Sequence, residues 1–289
     1  MKIIPFKIPK TDKEAIRVQV DRGQHFYENL HQHPEIQITL IVKSEGVLIA
    51  GNYVGNFTEG DIFMIGKNQA HVFRNDKMYF NPENDLYAEG ITVFFDDNYF
   101  GDFFWNLNEM SSVRQLVKEA AGGLRIRGEA QATVGNLLKT IVYQNGLEKL
   151  ISFFTILKTL SENTDYEKLS LSEDSWHTPQ YENERMNAIV KYTLQEYHNP
   201  IAIESIAQVA NLTPEAFCRY FKLRTRKTYL HFLYEIRINQ ACKLLQNRDL
   251  LMSDIAYQVG FNNLSNFNRV FKMIMRKTPS QYYKISIPN

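Results

Sequence analysis

Phe217-Cys-Arg-Tyr-Phe-Lys-Leu-Arg-Thr-Arg-Lys-Thr228 recurs fifty residues later as Phe267-Asn-Arg-Val-Phe-Lys-Met-Ile-Met-Arg-Lys-Thr278, with seven of twelve positions identical. Each copy is preceded by the same opening, Ile206-Ala207 and Ile255-Ala256, followed by Leu212 in the first and Gly260-Phe261 in the second. Each unit therefore reads as a short helix, a turn and a second helix with Arg and Lys on one side. Thr213-Pro214-Glu215 is a strong helix start, combining a hydroxyl N-cap, proline at the first helical position and a carboxylate in the first turn. Asn262 or Asn263 serves as the cap in the second copy. Phe217, Tyr220 and Phe221 then face a core, which leaves Glu215, Cys218, Arg219 and Lys222 outside; in the second copy Phe267, Val270 and Phe271 go inward while Leu264, Ser265, Asn268, Arg269 and Lys272 face out. A basic helix face is ordinarily just solvated, but duplication of the whole pattern with its core residues favours a ligand that itself repeats, as duplex DNA does every helical turn. The side-chain types suit base edges, since Arg bridges guanine O6 and N7, Asn pairs with adenine N6 and N7, and Leu meets a thymine methyl.

Outward from the repeat, a long helix over about 229–246 should join the two units, with Leu230, Leu233, Tyr234, Ala241, Leu244 and Leu245 facing the cores. Before the first unit, Met186, Ile189, Val190, Thr193, Leu194 and Tyr197 mark an amphipathic helix stopped by Asn199-Pro200. Charge is divided unequally: residues 181–289 hold 15 Lys and Arg against 8 Asp and Glu, whereas residues 1–180 hold 18 against 24. The basic third is the part that should seek polyanions. Cys218 and Cys242 are too few for a disulfide framework and lack metal-ligand spacing with each other, which fits a reducing cytosol. With 44% hydrophobic residues in 289, the chain has apolar material for two or three domains, and neither an export signal nor a membrane span is expected.

From Ile16 to Phe95 short β-branched and aromatic runs punctuated by Gly, Asn and Asp predict an antiparallel β domain, a sandwich or barrel. The candidate strands are Glu35–Val42, Val47–Tyr53, Asp61–Ile65, His71–Arg74 and Gly90–Phe95. A helical pattern follows, with Val113, Leu116, Val117 and Ala120, a Gly122-Gly123 break, a helix over about 131–144 and another after Gly146. Along the last, Leu147, Leu150, Ile151, Phe154 and Leu157 form one apolar stripe and Phe153, Ile156 and Leu160 a second side, implying two packing partners. Residues 161–181 are polar and aperiodic, as a linker would be.

His31-Gln-His33-Pro-Glu35-Ile-Gln37 places His31, His33, Glu35 and Gln37 on one side of a strand if that strand is continuous. With His71, these side chains are candidates for a metal-free pocket that hydrogen-bonds a small polar molecule, flanked by Tyr53, Phe63, Phe73 and Phe95. Metal coordination, or histidines that merely satisfy turns, are the alternatives that these residue types leave open.

Residues 185–287 resemble the DNA-binding domain of the arabinose-regulator (AraC/XylS) family of transcription factors. The resemblance is carried by Ile206-Ala207, Phe217, Arg219, Phe221-Lys222, the run Ile236–Leu245, Ile255-Ala256, Gly260-Phe261, Ser265, Phe267, Arg269, Phe271-Lys272 and Thr278-Pro279-Ser280-Gln281-Tyr282. It places Glu215, Cys218, Arg219, Leu264, Ser265, Asn268 and Arg269 near bases, and Lys222 and Lys272 near phosphates. Arg226 and Arg276 stand where the family often has glycine; arginine there takes a left-handed conformation at some cost or ends the helix another way, and Arg226, Lys227, Arg276 and Lys277 become candidate phosphate contacts or cations at helix ends. Upstream, His31-x-His33 and Gly60-Asp61 through His71 resemble the two cupin motifs, except that Gln37 holds the position of the usual glutamate ligand. The fold implied is α+β multidomain: a cupin-like β-barrel in 1–96, a helical dimerisation segment in 97–163, a linker in 164–181, and an all-α domain with two helix-turn-helix units joined by a linker helix in 182–289. The function implied is a cytoplasmic, homodimeric, sequence-specific regulator of transcription, an activator that binds double-stranded DNA, responds to a small-molecule effector for which a carbohydrate is one candidate, and recruits RNA polymerase. No catalytic residue, cofactor, metal or membrane is expected. A metal-dependent cupin enzyme fused to a DNA-binding module is the alternative, and an architectural DNA-binding protein without an effector is a third.

Overall fold

The computed structural model describes residues 14–170, 180–225, 227–245 and 250–286, with backbone alone for 180–184, 285 and 286. It divides into two units, Met1–Gln180 and Tyr181–Asn289.

In the first unit the order is β1 (Ile16–Gly23), β2 (Ile36–Lys43), β3 (Gly46–Ala50), β4 (Tyr53–Phe57), β5 (Ile62–Ile65), β6 (His71–Asn75), β7 (Ala88–Phe95), α1 (Gly101–Trp105), α2 (Ser111–Glu119), β8 (Leu124–Ile126), α3 (Gly128–Ile141), α4 (Gly146–Glu162) and β9 (Tyr166–Lys168). The strands form a six-stranded antiparallel sheet, β1-β7-β2-β5-β8-β9, and a three-stranded one, β4-β3-β6. The expected cupin-like barrel is therefore not closed: Gly51, at φ 55, turns the Val47–Tyr53 run back on itself so that β4 pairs with β3, and β1 and β9 lie at opposite edges of the larger sheet.

Period-two alternation gives the larger sheet two characters. Ile36, Ile38, Leu40, Ile62, Met64, Ile91, Val93 and Phe95 face α2, α3 and α4 in one core with Leu138, Phe153, Ile156 and Leu160. Ile41, Phe63 and Ile65, from the opposite face, pack with Leu48, Phe57 and Phe73 of the smaller sheet. Two expected boundaries move. The helical segment 97–163 is interrupted by β8, whose buried Leu124 and Ile126 complete the sheet beside β5. The linker does not begin at 164, because Tyr166–Lys168 pairs with β8 and Leu169 is buried, its N–H donating to the Gly123 carbonyl at 2.9 Å. A three-residue strand is too short to display a period, which hides both from pattern reading. The expected linker residues 171–179 lie outside the described residues.

Asp61 joins the late strands to the early ones. Buried at 3% exposure, it takes Arg125 from β8 in a fork of 2.6, 2.7 and 3.0 Å and the Thr58 N–H at 2.8 Å. Burial pulls the Arg125 guanidinium pKa down, but the Asp61 charge and hydrogen bonds outweigh it, so the net direction is up.

The second unit is α5 (Gln180–Glu196), α6 (Ile203–Val209), α7 (Pro214–Thr225), α8 (Tyr229–Leu244), α9 (Met252–Gln258), α10 (Leu264–Met275) and α11 (Pro279–Ser286). Helix α8 ends two residues before the expected limit, residues 246–249 lie outside the described ones, and Leu230, expected inward, is half exposed. Phe217 and Phe221 pack edge-on against Tyr229 in the first half. Phe267 and Phe271 sit with Ile255, Phe261 and Ala241 in the second.

Candidate nucleic-acid interface and ligand pocket

The duplication extends to backbone geometry. In the turn before α7 the Asn211 and Leu212 N–H groups donate to the Gln208 and Ala207 carbonyls, both at 2.9 Å; before α10 the Gly260 and Phe261 N–H groups donate to Tyr257 and Ala256 at 3.0 and 2.9 Å. The residue with positive φ is Asn211 (52°) in one turn and Gly260 (95°) in the other. Thr213 Oγ1 accepts from the Ala216 N–H at 3.3 Å and Asn263 Oδ1 from the Asn266 N–H at 2.7 Å, so each second helix starts from a side-chain cap.

These starts fix which side of each helix meets solvent. Glu215, Cys218, Arg219 and Lys222 on α7, and Leu264, Ser265, Asn268, Arg269 and Lys272 on α10, are all exposed. Arg269 is held by Asn266 Oδ1 at 2.9 Å, an i, i+3 pair that sequence reading passed over. Also passed over were Leu223 and Met273, equivalent residues exposed at 63% and 38%. Their signal was available in the repeat itself, which puts an apolar residue right after each lysine.

The helix ends sort the remaining cations. Arg276 takes the left-handed conformation, φ 57, that glycine would otherwise supply. Arg226 lies outside the described residues. Lys227 is not displayed for phosphate: its Nζ lies 2.7 Å from both carboxylate oxygens of Glu235. Behind the repeat, Arg237 of α8 donates to the Tyr197 carbonyl at 2.7 Å and the Asn199 carbonyl at 3.0 Å, fastening the end of α5 to the linker helix.

In the first unit the sheet face away from the helices borders a cavity of about 210 Å³. Gln37, Thr39 and Ile41 of β2, Gly90, Thr92 and Phe94 of β7, and Gln19 and Asp21 of β1 line it from the sheet; Phe26, Tyr27, His31, His71 and Phe73 line it opposite. Register explains the arrangement, because Gln19, Thr92 and Thr39 stand in one row across three strands, with the two threonine hydroxyls 3.0 Å apart. Of the five candidate residues, His31, Gln37 and His71 line the cavity. The strand is not continuous through the motif: β2 begins at Ile36, after a bend at Pro34-Glu35. His33 is buried with Nε2 3.0 Å from Gln37 Oε1, and Glu35 lies behind it, Oε2 3.5 Å from His33 Nδ1. Among the expected aromatics only Phe73 lines the cavity, since Phe95 faces the helices and packs on Phe153, while Phe63 and Tyr53 belong to the inter-sheet core. Gln19, Asp21 and Thr39 were missed although period two running from Gln37, and along Arg17, Gln19 and Asp21, gives their side, while Thr92 joins them only through the register of β7 with β1 and β2.

His31 and His71 are neutral near pH 7. Burial lowers His31 to about 4, against a raising hydrogen bond to the Asn29 carbonyl, and His33 adds a further lowering. Burial lowers His71 well below the ordinary value, with His31 and His33 adding to it. Both groups bind protons more readily in the unfolded chain, so they contribute stability above about pH 6.5 that is lost on acidification. The thermal midpoint of the first unit should therefore fall between pH 7 and 4, less steeply in His31→Gln; parallel profiles would contradict the assignment.

A family model described as a helix-turn-helix domain matches residues 206–285. An uncharacterised HTH-type transcriptional regulator of Bacillus subtilis (strain 168), YdeC, is 24% identical over 93% of this chain and 91% of its own length. Another, from the cgkA 5′ region of Pseudoalteromonas carrageenovora, is 36% identical over 91 residues, 32% of this chain and 54% of that one. Among solved structures, the DNA-binding domain of AdpA in complex with a target DNA is 25% identical over 34% of this chain and 87% of that chain, with a TM-score of 0.32. Unsaturated fatty acid bound ToxT from Vibrio cholerae strain SCE256 is 17% identical over 95% and 96%, with a TM-score of 0.36. With its repeated caps and turns, the segment 206–285 is a helix-turn-helix domain of the AraC type, and over nearly its whole length the chain is similar to a protein named as an HTH-type transcriptional regulator.

Proposed function

We propose that this DNA-binding regulator is sequence-specific, activates transcription from the cytoplasm by recruiting RNA polymerase, and is controlled by a small molecule held in the cavity of its first unit. The observation that carries the sequence-specific reading is the pair of matching exposed faces on α7 and α10, each on a side-chain-capped helix behind the same turn. Arg219 and Arg269 are assigned to base edges and Lys222 and Lys272 to phosphates, with Glu215, Cys218, Leu264, Ser265 and Asn268 beside the bases. Fragments selected by the full-length protein from random DNA should share two contacted segments about one helical turn apart. Against the selected site, Arg219→Ala and Arg269→Ala should each weaken binding by about 1–3 kcal/mol and relax preference at one position, whereas Lys222→Ala should weaken all sequences alike. Uniform loss in all three would remove the base assignments.

The effector reading rests on the lining. Amide, hydroxyl, imidazole and phenol groups alternate with Phe26, Phe73 and Phe94, so a small hydroxyl-bearing molecule with an apolar face, such as a carbohydrate, matches both surfaces. Control requires that this ligand bind one arrangement of the protein better than another. Homodimerisation is assigned to the helical segment 97–163, where Leu147 and Ile151 of the expected stripe are exposed at 72% and 58% and Tyr143 in the turn before α4 at 85%, whereas Leu157 of that stripe is buried in the core.

A further inference from the structure

Helices α7 and α10 present their arginines differently. In α10 a chain of hydrogen bonds runs from the cap to the arginine: Asn263 Oδ1 accepts from the Asn266 N–H at 2.7 Å, and Asn266 Oδ1 accepts from Arg269 Nη2 at 2.9 Å. Thr213 Oγ1 starts the same chain in α7, accepting from the Ala216 N–H at 3.3 Å, and there it stops. Ala216 and Asn266 are equivalent by the fifty-residue repeat and both are half-buried, but alanine offers no oxygen to Arg219. Charge acts in the same direction. Glu215 stands one turn before Arg219 where the second copy has Ser265, so a carboxylate competes with any base for the first arginine and none does for the second.

A guanidinium only donates, so the Asn266 amide must turn its oxygen toward Arg269 and its Nδ2 hydrogens elsewhere. That orientation withdraws Asn266 from adenine, whose N6 and N7 need an amide oxygen and an amide hydrogen together. It also holds the Arg269 guanidinium near one arrangement before DNA arrives. An arginine that must be ordered on binding loses its rotamer freedom at that moment, and the loss is subtracted from what the base contact yields. The other N–H groups of Arg269 still suffice for O6 and N7 of guanine. A surface pair at i, i+3 adds little to helix stability by itself, so its main effect falls on binding.

We infer that Asn266 is a positioning residue which makes the second helix-turn-helix the more selective reader of guanine, and that the first, with Ala216 in the equivalent place, is the more permissive. The inference rests on the assignment of Arg219 and Arg269 to base edges. Asn266 acts through Arg269, by fixing where the guanidinium stands, and the difference between the two copies lies in this one side chain and in the exchange of Glu215 for Ser265.

The test uses full-length protein on a DNA site taken from the selected fragments and reads a ratio: affinity for that site over affinity for the same site changed at one base pair, position by position. The position whose ratio Arg269→Ala collapses is the one that Arg269 reads, and Arg219→Ala marks the other. At the Arg269 position Asn266→Ala should lower the ratio about three- to tenfold, and at the Arg219 position Ala216→Asn, which rebuilds the pair at the same spacing, should raise it by about as much. A substitution that only loosened the helix would weaken both sites alike and leave the ratio unchanged, and thermal melting followed by circular dichroism reports such loosening separately. An unchanged ratio in Asn266→Ala beside a collapse in Arg269→Ala would overturn the inference and leave base reading by Arg269 intact. No gain in a folded Ala216→Asn protein would overturn it equally. If Arg269→Ala itself changes no ratio, base reading by Arg269 is wrong and the inference falls with it.

Discussion

Asp61→Ala is expected to destabilise the first unit by about 3–5 kcal/mol, because it leaves a largely buried guanidinium without its counter-charge. The Arg125 side chain is 14% exposed and Asp61 4%, so neither can turn to water. Arg127 Nη1, at 3.5 Å from Asp61 Oδ1, is a weaker second partner. Urea unfolding followed by tryptophan fluorescence measures the change. The double variant Asp61→Ala/Arg125→Met should recover much of the loss, since it removes the stranded charge and keeps the packing. If the double variant is as unstable as Asp61→Ala alone, the cost lies in the Thr58 turn and not in the ion pair.

Gly260→Val should be nearly as damaging to the second unit. At φ 95 a side chain is strained in any case, and a Cβ there would stand 2.7 Å from the Tyr197 carbonyl oxygen and 2.9 Å from that of His198. Left-handed strain of about 1–3 kcal/mol adds to about 1–3 kcal/mol of overpacking. It also displaces the carbonyl on which Arg237 depends, so specific DNA binding should vanish at moderate temperature while the first unit keeps its own transition. The matching turn supplies the control: Asn211→Gly, at an exposed residue already in the left-handed region, should change stability by no more than about 0.5 kcal/mol. Equal effects of the two substitutions would show that the turns are not tuned differently.

The second unit was legible from sequence because its signals are local and occur twice. Caps at Thr213 and Asn263, Pro214, and the phenylalanine spacing each act within one helical turn, and repetition separated them from chance. Arg237 was not legible, since its partners are backbone carbonyls forty residues away whose positions no side-chain pattern encodes. In the first unit the central strands could be read from β-branched runs, but β8 owes its existence to pairing with β5 and β9 to pairing with β8, a non-local gain that three residues cannot advertise. The polar cluster at His31, His33, Gln37 and His71 was recognised by residue type; the bend at Pro34 then rearranged it, taking Glu35 to the rear and leaving Gln37 at the front. The row Gln19–Thr92–Thr39 required the register of three strands, which turn lengths alone did not give.

The place of β8 and β9 in the larger sheet bears on how this chain can be cut or recombined. A fragment ending at residue 96 would keep the cavity walls yet lose Arg125, the strand that flanks β5 and the helices that cover the apolar sheet face, leaving Asp61 charged against an exposed edge. Such a piece should aggregate through that edge. A self-sufficient fragment of the first unit has to run through Ser170, whose N–H closes the sheet on Gly122 at 3.1 Å, and exchanges of this unit between relatives should be joined beyond that residue.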